Sequence, residues 1–352
     1  MSARRHPYVD IPSRSHWQQA VAGRHPLDIA EWYSKKFPIE ERPVATAGSC
    51  FAQHIGRRLR QAGFAFVDTE PAPPFLVNRQ SRMDFGYEMY SARYGNVYTS
   101  RQLLQLFGRA FGTFVPKDDH WRWKDGIVDP FRPTIEPEPF SSVEEMRRSR
   151  AHHLACVRQV FESADVFVFT LGLTECFSAT VDGAVFPVAP GVSGGDYEPS
   201  DYRFENLDYG AIRQDLVALF EAARKVRPKM KFLLTVSPVP LMATASGKHV
   251  VVATMQSKAT LRAAAGALQD ALPYVDYFPA FEIISAPPMR AQFYEPDLRG
   301  VSNWGVDHVM RQFFAAHKPP AGAAAPQAAA AVPDREAAAC DEELLRAFGK
   351  PS

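Results

Sequence analysis

Ala45-Thr46-Ala47-Gly48-Ser49-Cys50-Phe51-Ala52-Gln53 is the stretch from which the fold can be read. Val44 to Thr46 is a short apolar run ending at Ala47-Gly48, and beyond Phe51 the apolar residues Ile55, Leu59 and Ala62 recur at helical spacing. The segment reads as strand, sharp turn and helix, with Gly48 supplying the backbone freedom for the turn. In open α/β sheets the carboxyl ends of strands are where ligands bind. The first N–H groups of a helix lack intrahelical partners, and the positive end of its dipole favours an anion. A cysteine at that point has its thiolate stabilised, as a nucleophile requires. On position alone, Cys50 is as readily a small core residue as a nucleophile.

The same rhythm continues outward. Phe64 to Val67 predicts the next strand, and Arg101 to Phe111 and Val143 to Glu162 predict helices. Asp165 to Leu171 (DVFVFTL), continuously apolar with β-branched and aromatic residues, predicts a buried strand. Tyr209 to Lys225 is amphipathic, Lys231 to Val236 is a second buried strand, and Thr254 to Ala271 is an Ala-rich helix. Tyr274 to Phe278 predicts a third strand, and Ser302 caps a last helix to Ala316. Strands alternating with helices predict a parallel sheet covered on both faces.

The chain divides into an N-terminal arm (1–40), an α/β body (41–317) and a tail (318–352). Trp17, Trp32 and Tyr33 are expected to dock the arm. Within the body, Pro71 to Asp129 breaks the rhythm with Tyr87, Tyr90, Tyr94, Tyr98, Trp121 and Trp123. This aromatic-rich insertion is expected over the carboxyl edge of the sheet, serving as core or as a sugar platform. Pro190-Gly191 and Gly194-Gly195 mark a loop. From Pro319 to Cys340, 11 of 22 residues are Ala and four are Pro, a composition that reads as a flexible, disordered linker. It leads to Asp341–Gly349 (DEELLRAFG), either a frayed end or a peptide that docks on a protein partner.

Composition bounds the function. Forty basic and 39 acidic residues among 352 give a net charge of +1, which leaves no dominant field to hold a nucleic acid. No apolar run reaches the ~18 residues of a membrane span, and the basic start is not followed by the apolar stretch of a secretory signal. Cys50, Cys156, Cys176 and Cys340 lack metal-site spacing and are too sparse for a disulfide scaffold. A reducing, cytoplasmic location is expected, with no metal and no bound cofactor.

Gly48-Ser49-Cys50-Phe51-Ala52 also spells a family signature. Further blocks accompany it: Tyr94-Gly95-Asn96-Val97-Tyr98-Thr99, Thr170-Leu171-Gly172-Leu173-Thr174-Glu175, Thr235-Val236-Ser237-Pro238-Val239-Pro240, Ser257-Lys258-Ala259, Tyr277-Phe278-Pro279 and Glu282-Ile283-Ile284. Over roughly residues 7 to 315 the chain resembles the bacterial GSCFA family, which looks like a branch of the SGNH (GDSL-like) hydrolases. The resemblance implies a flavodoxin-like SGNH-hydrolase three-layer sandwich with a parallel central sheet. It places Ser49 and Cys50 over the first SGNH block, with Cys50 as nucleophile and its N–H in the oxyanion hole. Gly95-Asn96 lies over the second block. In the third, Gly172-Leu173-Thr174-Glu175 stands where the family fold has Gly-x-Asn-Asp, so Thr174 or Asn96 must donate to the oxyanion.

The fifth block departs further. Asp297 is present, but Gly300 stands where the general-base histidine is expected. His249, on a loop after the Thr235–Pro240 block, is the first replacement and His308 in the last helix the second. Glu175 as base, or no catalysis, completes the options. Lys258 and Arg262 share one helix face, either solvated or set to receive a carboxylate or a phosphate-bearing acyl donor.

Two functions follow. The first is an SGNH-like acyl-transfer enzyme, an esterase or O-acyltransferase, using Cys50 on a small-molecule or glycan ester, such as a polysaccharide or its precursor, with acyl-CoA as a candidate donor. The alternative is a catalytically degenerate SGNH-fold protein that binds a ligand or partner.

Overall fold

The most buried strand sets the architecture. The structure, a computed structural model, describes residues 6–320 together with Leu345. In the strand Val166–Leu171, every residue is buried. Val166 and Val168 join one apolar cluster, and Phe167, Phe169 and Leu171 join another. Side chains on a strand alternate in direction, so both faces of this strand are covered.

In chain order the strands are β1 (Val44–Gly48), β2 (Trp121–Trp123), β3 (Gly126–Val128), β4 (Val166–Leu171), β5 (Glu175–Ala179), β6 (Val185–Phe186), β7 (Tyr202–Asn206), β8 (Lys231–Val236) and β9 (Val275–Tyr277). The α-helices are α1 (Cys50–Gln61), α2 (Arg79–Asp84), α3 (Ser100–Ala110), α4 (Val143–Ser163), α5 (Tyr209–Val226), α6 (Val250–Ala271), α7 (Ala280–Ser285) and α8 (Asn303–Ala316). The central sheet has the order β1-β4-β8-β9 and is parallel throughout.

The strand expected at Phe64 to Val67 is reduced to a parallel bridge between Val44 and Phe66 on the free edge of β1. Two backbone hydrogen bonds hold it, Val44 N–H to Ala65 O and Val67 N–H to Val44 O, both 2.8 Å. Counting that bridge, chain order maps onto space as second-first-third-fourth-fifth, the flavodoxin-like doubly wound arrangement. One face of the sheet packs on residues of α1, α7 and α8, including Phe51, Ile55, Leu59, Ile283, Val309 and Phe313. The other packs on α3, α4, α5 and α6 through residues such as Leu103, Phe161, Phe220 and Leu261. Three layers result, helix, sheet and helix.

Two further sheets lie outside this frame. β6, β5 and β7 form an antiparallel sheet fed from the carboxyl end of β4 by Gly172-Leu173-Thr174. β2 and β3 make a small hairpin. The insertion contributes mainly core, since Tyr90, Tyr94, Tyr98 and Trp121 are all buried.

In the arm, Tyr33 Oη donates to Asp276 Oδ2 (2.6 Å) and Lys36 N–H to the same oxygen (2.8 Å). Trp32 is half-buried against the α8 layer, whereas Trp17 is 67% exposed and docks nothing. The Ala/Pro linker and the segment 341–349, apart from Leu345, lie outside the described residues. No described helix is long and apolar enough to cross a membrane.

Candidate active site

Gly48 ends β1 with φ +142°, and a Cβ there would sit 2.5 Å from the Thr170 carbonyl oxygen of β4. Only glycine allows that approach. Ser49 follows as N-cap of α1 but makes no side-chain cap hydrogen bond, and its buried Oγ has no partner among the described residues. Cys50 is the first residue of α1, at the carboxyl edge of the sheet and 5% exposed. It packs with Tyr98, Leu173 and Val239.

Hydrogen bonds draw the other blocks onto this corner. Val97 N–H donates to Gly48 O (2.9 Å), and the Gly172 and Leu173 N–H groups both donate to Tyr98 O (2.9 and 3.2 Å). Ser237 N–H donates to Leu171 O (2.8 Å), which fixes the end of β8 beside the end of β4. Tyr90 Oη lies 3.2 Å from Ser49 O and 2.5 Å from Asn96 Oδ1, and Gln53 Nε2 donates to both Tyr90 Oη and Asn96 Oδ1 at 3.2 Å. With its Oδ1 held by these donors, the Asn96 amide has its NH2 turned to the opposite side. Gly95 precedes it at φ +68°.

Lys258 of α6 is 2% exposed and its Nζ donates to Gly172 O (2.6 Å). Gly172 is crowded against Ser49, whose Cβ would be 3.0 Å from a Cβ at that position. One residue earlier in α6, Ser257 Oγ accepts the Thr174 N–H (3.0 Å). Thr174 Oγ1 is buried without a partner among the described residues. Glu175 opens β5, and Thr244 Oγ1 donates to its Oε1 (2.7 Å). The corner thus gathers Ser49, Cys50, Asn96, Gly172, Thr174 and Lys258.

The expected bases lie elsewhere. His249 is an exposed N-cap, its Nδ1 accepting the Val251 N–H (3.2 Å). It precedes Lys258 by nine residues, about 13 Å along the helix axis. His308 is buried in the α8 layer, stacked on Phe293 with ring centroids 4.8 Å apart, and Arg311 donates to its Nδ1 (3.2 Å). Burial, then the Arg311 charge, brings its pKa down to about 4, the behaviour of a neutral core histidine. Asp297 Oδ1 accepts the Arg299 and Gly300 N–H groups (both 2.9 Å) and so shapes its own turn. Arg262 pairs with Glu282 and stacks over Tyr277 at 4.1 Å, so Lys258 turns inward without it.

Sequence reasoning gave no site role to Gln53, Tyr90 or Ser257, although the quoted stretches contain them, and passed over His54. His54 is one turn past Cys50 on α1, 8% exposed, with its ring 5.9 Å from that of Phe51. Residues four apart share a helix face, which puts His54 on the Cys50 side of α1. That spacing was the available signal. The other two described cysteines with thiols are held inert: burial raises Cys156 to about 11 and Cys176 to about 12. No group of three or more potential metal ligands occurs among the described residues.

The GSCFA family model matches residues 43–313, which spans β1 through α8. No curated protein and no solved structure matches the chain.

Proposed function

We propose that this chain, which belongs to the GSCFA family, is an SGNH-like acyl-transfer enzyme that uses Cys50 as its nucleophile. The observation that carries the reading is the placement of a buried cysteine at the first position of α1, with the buried Lys258 side chain bonded to Gly172, the glycine that crowds Ser49. A helix N-terminus and a nearby cation both favour a thiolate.

In this reading the Cys50 thiolate attacks the acyl carbonyl of an ester or thioester. A carbon–sulfur bond forms, and the tetrahedral oxyanion is held by the Cys50 N–H with the Asn96 NH2 or the Thr174 hydroxyl. The bond to the leaving group then breaks and that group takes up a proton. His54 supplies and removes protons in place of the histidine missing at Gly300. Water, or a hydroxyl of a glycan, then attacks the thioester and releases the thiol. Acyl-CoA suits the donor role, and four cysteines, too sparse for a disulfide scaffold, suit a cytoplasmic setting.

The test is turnover of activated acetate esters and acetyl-CoA by the wild type, Cys50→Ala, His54→Gln and His249→Gln. The reading expects loss in the first two variants and an unchanged rate in the third. A full rate in Cys50→Ala contradicts it. Binding of an acylated ligand without turnover in the wild type favours the alternative of a catalytically degenerate binding protein.

A further inference from the structure

Leu345 is the one residue beyond Pro320 that the structure describes, and it is half-buried. It lines a cavity of about 250 Å3 whose walls include Leu173, Phe177, Phe186, Phe204 and Leu241. The cavity lies on the antiparallel β6-β5-β7 sheet, at the carboxyl edge of the central sheet. Leu173 is shared between this cavity and the packing shell of Cys50.

Three observations bear on what fills it. The lining is predominantly aliphatic and aromatic, with Phe177 and Phe204 packed edge to face at 5.7 Å. Such a surface takes an apolar side chain rather than a charged one. The 25 residues from Pro320 to Leu345 can extend over about 80 Å, so the tail of the same chain reaches the cavity without strain. The linker's Ala/Pro composition offers Leu345 no core of its own.

We propose that this cavity is an intramolecular docking site for the C-terminal tail, with Leu345 closing part of its wall in cis. Leu345 and Leu173 line the same cavity, and Leu173 also packs against Cys50. The consequence for catalysis rests on the acyl-transfer reading; the docking itself does not.

The test is hydrogen–deuterium exchange on the full chain, comparing the wild type with Leu345→Asp and Leu345→Met. Amides in residues 186–189 and 241–245 are expected to exchange roughly fivefold faster in Leu345→Asp, with Leu345→Met close to wild type. The protection should be the same over a hundredfold dilution. Equal exchange in all three proteins overturns the proposal. Protection lost on dilution also overturns it, because the occupant is then a second copy. Neither readout depends on Cys50 chemistry, so failure here is distinguishable from failure of the acyl-transfer reading.

Discussion

Lys258 Nζ donates to the Gly172 carbonyl at 2.6 Å, from a side chain 2% exposed. A lysine is rarely buried without a purpose that offsets its desolvation. Here the side chain ties α6 to the turn that faces Ser49, and in the acyl-transfer reading its charge supports the Cys50 thiolate. Replacing it with the isosteric Lys258→Met should leave the fold intact and slow Cys50 alkylation at neutral pH by about tenfold, the effect of one pKa unit on a thiol. Measuring the alkylation rate against pH checks this, and an unchanged profile would remove Lys258 from the site.

Tyr90 ties the Gly48–Cys50 turn to the Asn96 loop through one hydroxyl. Tyr90→Phe removes the one proton that Ser49 O and Asn96 Oδ1 share as acceptors. The expected cost is about 1–2 kcal/mol of stability, read by denaturant unfolding, with a larger proportional loss of turnover because the Asn96 amide is held less firmly. Turnover that falls no more than stability would make Tyr90 purely structural.

Gly48 admits no side chain without displacing Thr170 of β4. Gly48→Ala should therefore destabilise by about 2–4 kcal/mol, combining positive-φ strain with a backbone collision. Gly95→Ala, whose Cβ would meet nothing nearer than Arg132 Cβ at 3.9 Å, should cost only about 1 kcal/mol. Thermal melts of the two variants compare them directly.

His308 sets a pH dependence. Its folded pKa is lowered to about 4, so the unfolded chain binds the extra proton first as pH falls. Its contribution to stability is fully present above the unfolded value of about 6.5 and is lost between there and about 4. Melting temperature should decline through that window. In His308→Phe the decline should be shallower, and an identical slope would contradict the assignment.

The strand, turn and helix around Gly48 were legible because each signal is local: an apolar run, a glycine and a 3.6-residue period. The same holds for β4, β8, α5 and the Ser302 cap. The antiparallel β5–β7 sheet was not legible. Glu175–Ala179 (ECFSA) has no clean alternation, and its partners lie up to about thirty residues away along the chain. Lys258 looked like one end of a solvated pair with Arg262, since sequence spacing does not say which of two polar residues turns inward. His249 and His308 drew attention as titratable groups, although one satisfies a helix end and the other fills an apolar layer. His54 was overlooked because a histidine inside a helix reads as packing until its helix is known to begin at the cysteine.

The central claim is that Cys50 carries an acyl group. Intact-protein mass spectrometry after brief exposure to acetyl-CoA and to an activated acetate ester, with wild type beside Cys50→Ala, addresses it most directly. The account predicts a transient acetyl adduct that maps to Cys50 in the wild type and is missing from the variant. An adduct retained in Cys50→Ala, or turnover without any adduct on Cys50, would contradict it.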